Sequence, residues 1–191
     1  VTFSWIDSTD ARVGTIGLPE DRVAAAAYTN ASKTLLVEIA QDAIVSEPIR
    51  INVVGSSSSA SALHIVIVAG KFSQATLVLT HSGLGVLGEN IELDVQDEAK
   101  LNFVSVQTWE SGSSHVAAHY SKLGRNSWLK HTVATFGGDL VRITPVSTFT
   151  GPGAEVEMNG VYFADAGQHI ENRPFVDHAA PNCKSRVTYK G

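Results

Sequence analysis

Two histidines four residues apart, His115 and His119, are of a type and spacing that could bind a metal ion. On an α-helix this spacing places both imidazoles on one face, as in zinc-binding helices. Gly112, Ser113 and Ser114 precede them, however, and the region has the pattern of a β-strand. On a strand, residues i and i+4 lie about 13 Å apart, too far for one ion held at about 2.0–2.1 Å. We therefore interpret both as ordinary surface histidines.

The adjacent pair Asp177 and His178 resembles part of a catalytic triad. Neighbouring residues on a strand point to opposite faces, and no G-x-S-x-G motif accompanies the pair. We expect a role in a turn or an interface instead.

The single cysteine, Cys183, could be a nucleophile, a metal ligand or a small core residue. It occupies a position at which other repeats of the chain carry Ala or Ser, which favours packing as a small hydrophobe. One thiol cannot hold an iron–sulfur cluster alone, since such clusters normally take four ligands.

Two acidic pairs, Glu92 with Asp94 and Glu155 with Glu157, have the alternate spacing of residues on one strand face. Calcium-dependent polysaccharide lyases built on β-helices use carboxylate clusters of this kind. A solvated outer face is the simpler interpretation, and we predict it for both pairs.

The remaining chemical motifs are weak. Gly83, Gly85 and Gly88 lack the Lys-Ser/Thr that completes a phosphate-binding loop. The serine run Ser56–Ser59 after Gly55 is typical of a flexible loop. We thus predict no catalytic, cofactor-binding or metal-binding residue in this chain, and no enzymatic activity of its own.

Composition limits the classes of protein that remain. Hydrophobic residues make up 43% and charged residues 17%, which excludes a disordered chain. The net charge of −5 argues against partners with anionic surfaces, both nucleic acids and membranes. No apolar stretch reaches the roughly 18 residues of a membrane span. The lone cysteine favours a reducing, cytoplasmic setting over a disulfide-stapled secreted fold.

One helix is expected near the start of the chain. Pro19 and the acidic residues Glu20 and Asp21 precede an alanine-rich run, so a helix should extend from Asp21 to Asn30. We predict an N-terminal segment over residues 1–34 and a β domain over residues 35–191. Because Val1 is not Met and the chain stops at Gly191 after a strand-like run, we expect a fragment of a longer protein.

The β domain is repetitive. A small residue followed by apolar residues at every second place recurs from Ala75, Ala99, Ser127, Ala154 and Cys183. Alternation of period two predicts strands with one buried face, and recurrence every 24 to 29 residues is typical of a solenoid. No helical pattern lies between the copies. The pattern favours a parallel β-helix, while an antiparallel sandwich with similar turn spacing stays open.

The last third of the chain resembles the SufD family of iron–sulfur cluster assembly proteins. The similarity is carried by Glu171–His178 and by Pro181–Gly191, with its Ser185-Arg186 and Lys190-Gly191 elements. The related SufB scaffold shares the second element. Its usual Asp-Thr-Gly-Thr stretch is absent here and Asp177-His178 stands nearby, which favours SufD.

The resemblance implies a right-handed parallel β-helix that acts as a non-catalytic scaffold. Complete members pair with SufB through this core and dock the ATPase SufC through C-terminal helices. The complex handles a transient cluster, and a flavin is a further candidate cofactor of the complex. The family's functional Cys and His follow the Lys-Gly element, so they transfer to no residue here. The expected truncation at Gly191 would leave an open coil end with unpaired N–H and C=O groups, which predicts homodimerisation of the fragment.

Two other functions fit the fold. A carbohydrate-binding or polysaccharide-active β-helix would use the acidic pairs in a groove, and a purely structural solenoid would present a polar shell. The family resemblance favours the scaffold function over both of these alternatives.

Overall fold

The strands of the computed structural model, which describes residues 1–191, coil into a parallel β-solenoid of about six turns. This confirms the predicted β-helix and excludes the antiparallel sandwich. In chain order the elements are β1 (Thr2–Asp7), α1 (Arg22–Asn30), β2 (Lys33–Ile39), β3 (Ile49–Ala69), β4 (Gln74–Val95), β5 (Lys100–Trp109), β6 (Ser114–Leu123), β7 (Trp128–Thr135), β8 (Leu140–Phe149), β9 (Glu155–Tyr162), β10 (His169–Asn172), β11 (Phe175–Asp177) and β12 (Lys184–Lys190).

The solenoid is flattened, with strands on two opposed sides. The helix-side sheet, on which α1 packs, runs from β2 through the second halves of β3 and β4 to β6, β8 and finally β10 and β11. The opposite sheet runs from the first halves of β3 and β4 to β5, β7, β9 and β12. All these pairings are parallel, so each strand of one coil lies directly above its equivalent in the next.

A column of small residues marks the turn that leads into each strand of the opposite sheet. Its members are Ser73, Ala99, Ser127, Ala154 and Cys183. The residue after each member pairs with the residue after the next member, and these paired residues are Gln74, Lys100, Trp128, Glu155 and Lys184. The predicted starts are confirmed except the first, which lies at Ser73 rather than Ala75. The residue before each member has a positive φ, as at Glu98 (62°) and Asn126 (53°). Such a turn brings the small side chain into the core, where Ala99 and Ala154 are fully buried.

Alternate residues of each strand point into the solenoid. In β5, Leu101, Phe103, Ser105, Gln107 and Trp109 are buried, whereas the residues between them reach solvent. Leu101 and Phe103 belong to a large apolar core near the small-residue turns, and Trp109 belongs to a second core at the other edge. Burying each large apolar side chain contributes about 1.5–3 kcal/mol. Polar side chains occupy part of the interior between the two cores.

Strands β3 and β4 bend from one sheet into the other without a break. Gly83 has a φ of 78°, in the left-handed region that a Cβ disfavours, and it lies at the bend of β4. The serine run predicted to be a flexible loop belongs to β3 instead. Ser56 and Ser57 pair in register with β4, and a β-bulge follows before Ala60. That prediction was wrong because strand pairing with the next coil satisfies the backbone despite the polar side chains.

The N-terminal residues cover the outer surface of the helix-side sheet. Strand β1 pairs antiparallel with β2. The helix predicted from Asp21 to Asn30 is confirmed as α1, and Asp21 is its N-cap, accepting hydrogen bonds from Val23 N at 2.8 Å and Ala24 N at 2.9 Å. No helix of the structure has the length and apolar character required to cross a membrane.

Candidate functional site

Three titratable side chains meet inside the solenoid, with none of their surface exposed. His81 Nε2 lies 3.1 Å from each carboxylate oxygen of Glu89, and His115 Nε2 lies 3.2 Å from Glu89 Oε2. The two imidazole rings are 4.6 Å apart between centroids. Trp109 packs against both rings, at 5.7 Å from His81 and 5.6 Å from His115. We call His81, Glu89 and His115 the inner triad.

The bend of β4 brings the inner triad together. His81 and Glu89 are eight residues apart in one strand, so on a straight strand they would be about 26 Å apart. Because β4 turns between them, His81 projects inward from the opposite sheet and Glu89 from the helix-side sheet. His115 comes from the neighbouring coil, where Leu87 and His115 are in register.

The electrostatics of the inner triad favour a charged carboxylate. Burial opposes ionisation of Glu89, but the charge and hydrogen bonds of His81 and His115 outweigh it and hold the pKa of Glu89 below its usual range. Burial, reinforced by repulsion from His81, lowers the pKa of His115 despite its hydrogen bond to Glu89. The interior of the solenoid therefore carries a buried negative charge next to two imidazoles.

A second polar group lies nearby but contains no carboxylate. His119 Nδ1 is 3.0 Å from His131 Nε2, and Phe103 packs against both rings. Burial lowers the pKa of His119 well below its ordinary value and that of His131 to about 4. Both rings are thus neutral near pH 7, and one donates a hydrogen bond to the other.

A third group lies on the outer surface of the helix-side sheet, beneath the N-terminal segment. His64 Nε2 is 2.8 Å from Glu92 Oε1, and both side chains are almost fully buried. Glu92 also accepts hydrogen bonds from Gly14 N at 2.7 Å and Ile16 N at 2.9 Å, and Tyr28 packs on the His64 ring. We call His64 and Glu92 the outer pair.

The sequence-based interpretation of His115 and His119 was wrong in one respect. Both point inward from β6 and are buried, rather than lying on the surface. The argument that they do not share one site holds, because His115 contacts Glu89 while His119 contacts His131. Both side chains are buried because the coils stack in parallel, and the residues around them in the sequence do not show this.

His81 and Glu89 were missed, although the strand pattern contains a signal for each. His81 continues the inward series of Leu77 and Leu79, and Glu89 lies between Leu87 and Ile91 in the second inward series. In a strand with alternating buried and exposed positions, a titratable residue at a position that is otherwise apolar indicates a buried polar site.

The acidic pairs have different environments. Glu92 was predicted on a solvated face but is buried, because residues 14–16 cover it. Glu155 lies on the outer surface as predicted, where it pairs with Lys184 of the next coil at 2.7 Å. Glu157 likewise lies near Lys130 at 4.0 Å. Each of these two outer carboxylates therefore has a lysine of a neighbouring strand beside it.

The last coil contains the other residues that sequence analysis singled out. His178 Nε2 is 2.9 Å from Ser185 Oγ, and its ring packs edge-on against Phe149. Asp177 is exposed at the end of β11. Cys183 is partly buried in the small-residue column, with its Sγ 3.5 Å from Gly151 O. Its equivalence to the Ala and Ser of other repeats is confirmed.

A parallel β-solenoid with a buried polar interior is the class of protein that the fold and the site define. Residues 52–191 match the family model described as SUF system FeS cluster assembly, SufBD core domain. Over 183 residues, 95% of its length, the chain is 40% identical to iron-sulfur cluster assembly SufBD family proteins of Mycobacterium leprae (strain TN) and Mycobacterium tuberculosis (strain ATCC 25618 / H37Rv). It spans about half of their lengths, 47% and 46%.

The chain therefore belongs to the SufBD family. This confirms the resemblance drawn from the residues Glu171–Gly191. The match is to the core shared by both branches, so the assignment to SufD rather than SufB stays a prediction.

Proposed function

We propose that the protein containing this chain is a non-catalytic scaffold subunit of an iron–sulfur cluster assembly complex. The observation that carries the proposal is the family match over residues 52–191, which coincides with the β-solenoid. The names of the mycobacterial relatives assign them to the same process. A reducing compartment such as the cytoplasm suits this role, because Cys183 is a free thiol.

The stacking of parallel coils supports pairing with another subunit. Each strand of one coil adds to the edge of its equivalent in the preceding coil, as β12 adds to β9. Strand addition of this kind is also a common mode of association between chains. By analogy with the family, we propose a SufB-like partner for the full-length protein and, in its absence, a second copy of the chain.

The distribution of polar residues supports a scaffold rather than an enzyme. The inner triad and the His119–His131 pair are sealed inside, and the outer carboxylates at Glu155 and Glu157 are paired with lysines. The cluster is the cargo of the complex, and we propose that neither a stable cluster nor a flavin is held by this chain alone.

Co-purification of the full-length protein with SufB-like and SufC-like subunits, the latter an ATP-binding-cassette ATPase, tests the proposal. We expect both subunits to co-purify with the wild-type protein in a stable complex. Failure of the wild-type protein to associate with either subunit contradicts the scaffold function.

A further inference from the structure

The inner triad places a charged carboxylate in the interior of the solenoid with no cationic Lys or Arg among its hydrogen-bond partners. A buried charge is strongly unfavourable unless a partner compensates it. The two imidazoles satisfy the hydrogen bonds of Glu89 through their Nε2 atoms. A metal cation bound between the three side chains would use these same nitrogen and oxygen atoms as ligands.

The spacing of the donor atoms fits a single ion. The three side chains each offer one ligand atom, and these atoms lie within 4.8 Å of one another. Bonds of about 2.0–2.1 Å in a tetrahedral site place neighbouring ligand atoms about 3.3 Å apart. The distances from Glu89 to His81 and His115, 3.1 and 3.2 Å, are close to that value. We propose that His81, Glu89 and His115 bind one divalent transition-metal ion inside the solenoid.

The donor set indicates the class of metal. Two imidazole nitrogens and one carboxylate oxygen suit zinc, iron(II) and cobalt(II), whereas magnesium and calcium prefer all-oxygen sites. The only thiol of the chain, Cys183, precedes β12 in the last coil, so it is not a ligand. Three protein ligands leave at least one coordination position open for a small molecule.

The histidine rings can change from hydrogen bonding to metal binding without repacking. Neither His81 Nδ1 nor His115 Nδ1 has a hydrogen-bond partner, so no other residue fixes the tautomer of either ring. With the proton on Nε2, each ring donates to Glu89. With the proton on Nδ1, each Nε2 lone pair is available to the ion, and the ring positions need not change.

A serine-lined pocket of about 310 Å³ lies on the far side of Trp109 from the inner triad. It lies at the bend of β3 and is lined by Ser56, Ser57, Ser59 and Ser61, together with Trp109 and other residues. Trp109 is thus a wall shared by the pocket and the two histidines. A Cβ at Gly55 or Gly85 would lie 2.9 or 3.0 Å from the Trp109 ring, so these glycines provide the space that the indole occupies.

The outer pair provides a matched control within the same chain. It too is a buried histidine–glutamate contact, but it has one imidazole, and both oxygens of Glu92 already accept backbone hydrogen bonds. The proposal thus predicts metal binding at the inner triad and none at the outer pair. It is independent of the scaffold function, because it concerns only the interior of the folded chain.

Calorimetric titration of the metal-free full-length protein with zinc chloride tests the proposal. We expect the wild-type protein to bind one more equivalent of zinc than the Glu89→Gln variant, and His64→Gln to bind as the wild type does. Loss of a ligand should weaken binding at this site by more than the roughly 10–100-fold that loss of an outer hydrogen-bond partner costs. Equal zinc stoichiometry in wild type and Glu89→Gln overturns the proposal.

Cobalt(II) gives a second measurement, which leaves the three proposed ligands unchanged. A nitrogen and oxygen site of low symmetry gives visible d–d absorption at one equivalent, and quenching of Trp109 fluorescence should accompany it, measured in a Trp5→Phe, Trp128→Phe background. Trp109 quenching that saturates at one equivalent supports the site. Cobalt that binds without quenching Trp109 overturns it.

Discussion

The inner triad and the outer pair are both buried contacts between histidine and glutamate, but the chain buries them in different ways. The inner triad lies between the two sheets, where the alternation of β4 and β6 and the bend of β4 enclose it. The outer pair lies on the outer surface of the solenoid, where the segment that contains Gly14 and Ile16 shields it from solvent. The inner triad can reach water only if coils separate, whereas release of one segment uncovers the outer pair.

Removal of the inner carboxylate should have the largest effect on stability. Glu89→Ala leaves two buried imidazoles without their partner and creates a cavity, so we expect the free energy of unfolding to fall by about 3–5 kcal/mol. Denaturation in urea, followed by circular dichroism, measures it. Glu89→Gln keeps the volume and should cost less. If Glu89→Ala costs no more than Glu92→Ala, the distinction between enclosed and covered sites is wrong.

Acid should destabilise the solenoid through the interior histidines that have no carboxylate. The pKa of His131 is about 4 in the folded chain, below the ordinary 6.5, so the unfolded chain binds the proton more readily. Stability is therefore intact above about pH 6.5 and falls as the pH decreases toward 4, by roughly 3 kcal/mol for this residue. His131→Gln does not titrate, so its unfolding free energy should decrease less across that window. Parallel curves for the two proteins would contradict the assignment.

Loss of the outer carboxylate should have the smallest and most local effect. Glu92→Ala removes the acceptor of two backbone N–H groups and of His64, at a cost of about 2 kcal/mol. We expect faster hydrogen exchange at the amides of Gly14 and Ile16, with protection of β5 and β7 unchanged. Glu38→Ala, which removes an exposed contact with Arg12, is the control and should leave both amides protected. Faster exchange throughout the solenoid after Glu92→Ala would show that the covering segment supports the whole fold.

Much of the solenoid could be predicted because its information is local and repeated. Alternation located most strands, the small residues at Ala99, Ser127 and Ala154 located the turns, and Asp21 located the start of α1. The first repeat was displaced by two residues since Ser73 and Ala75 are both small, and only the register with Lys100 separates them. The Ser56–Ser59 run was misjudged because pairing between coils, rather than side-chain character, makes it a strand.

The sequence by itself determined the repeat, the apolar alternation of most strands and the family, since these depend on residue types at short and regular spacing. Tertiary structure decided which polar residues meet. His81 contacts Glu89 because β4 bends, and His115 joins them because the next coil stacks in register. Glu92 is buried because a segment more than 70 residues earlier in the chain folds over it. These contacts depend on the path of the chain in space, which cannot be read from the spacing of residues along the sequence.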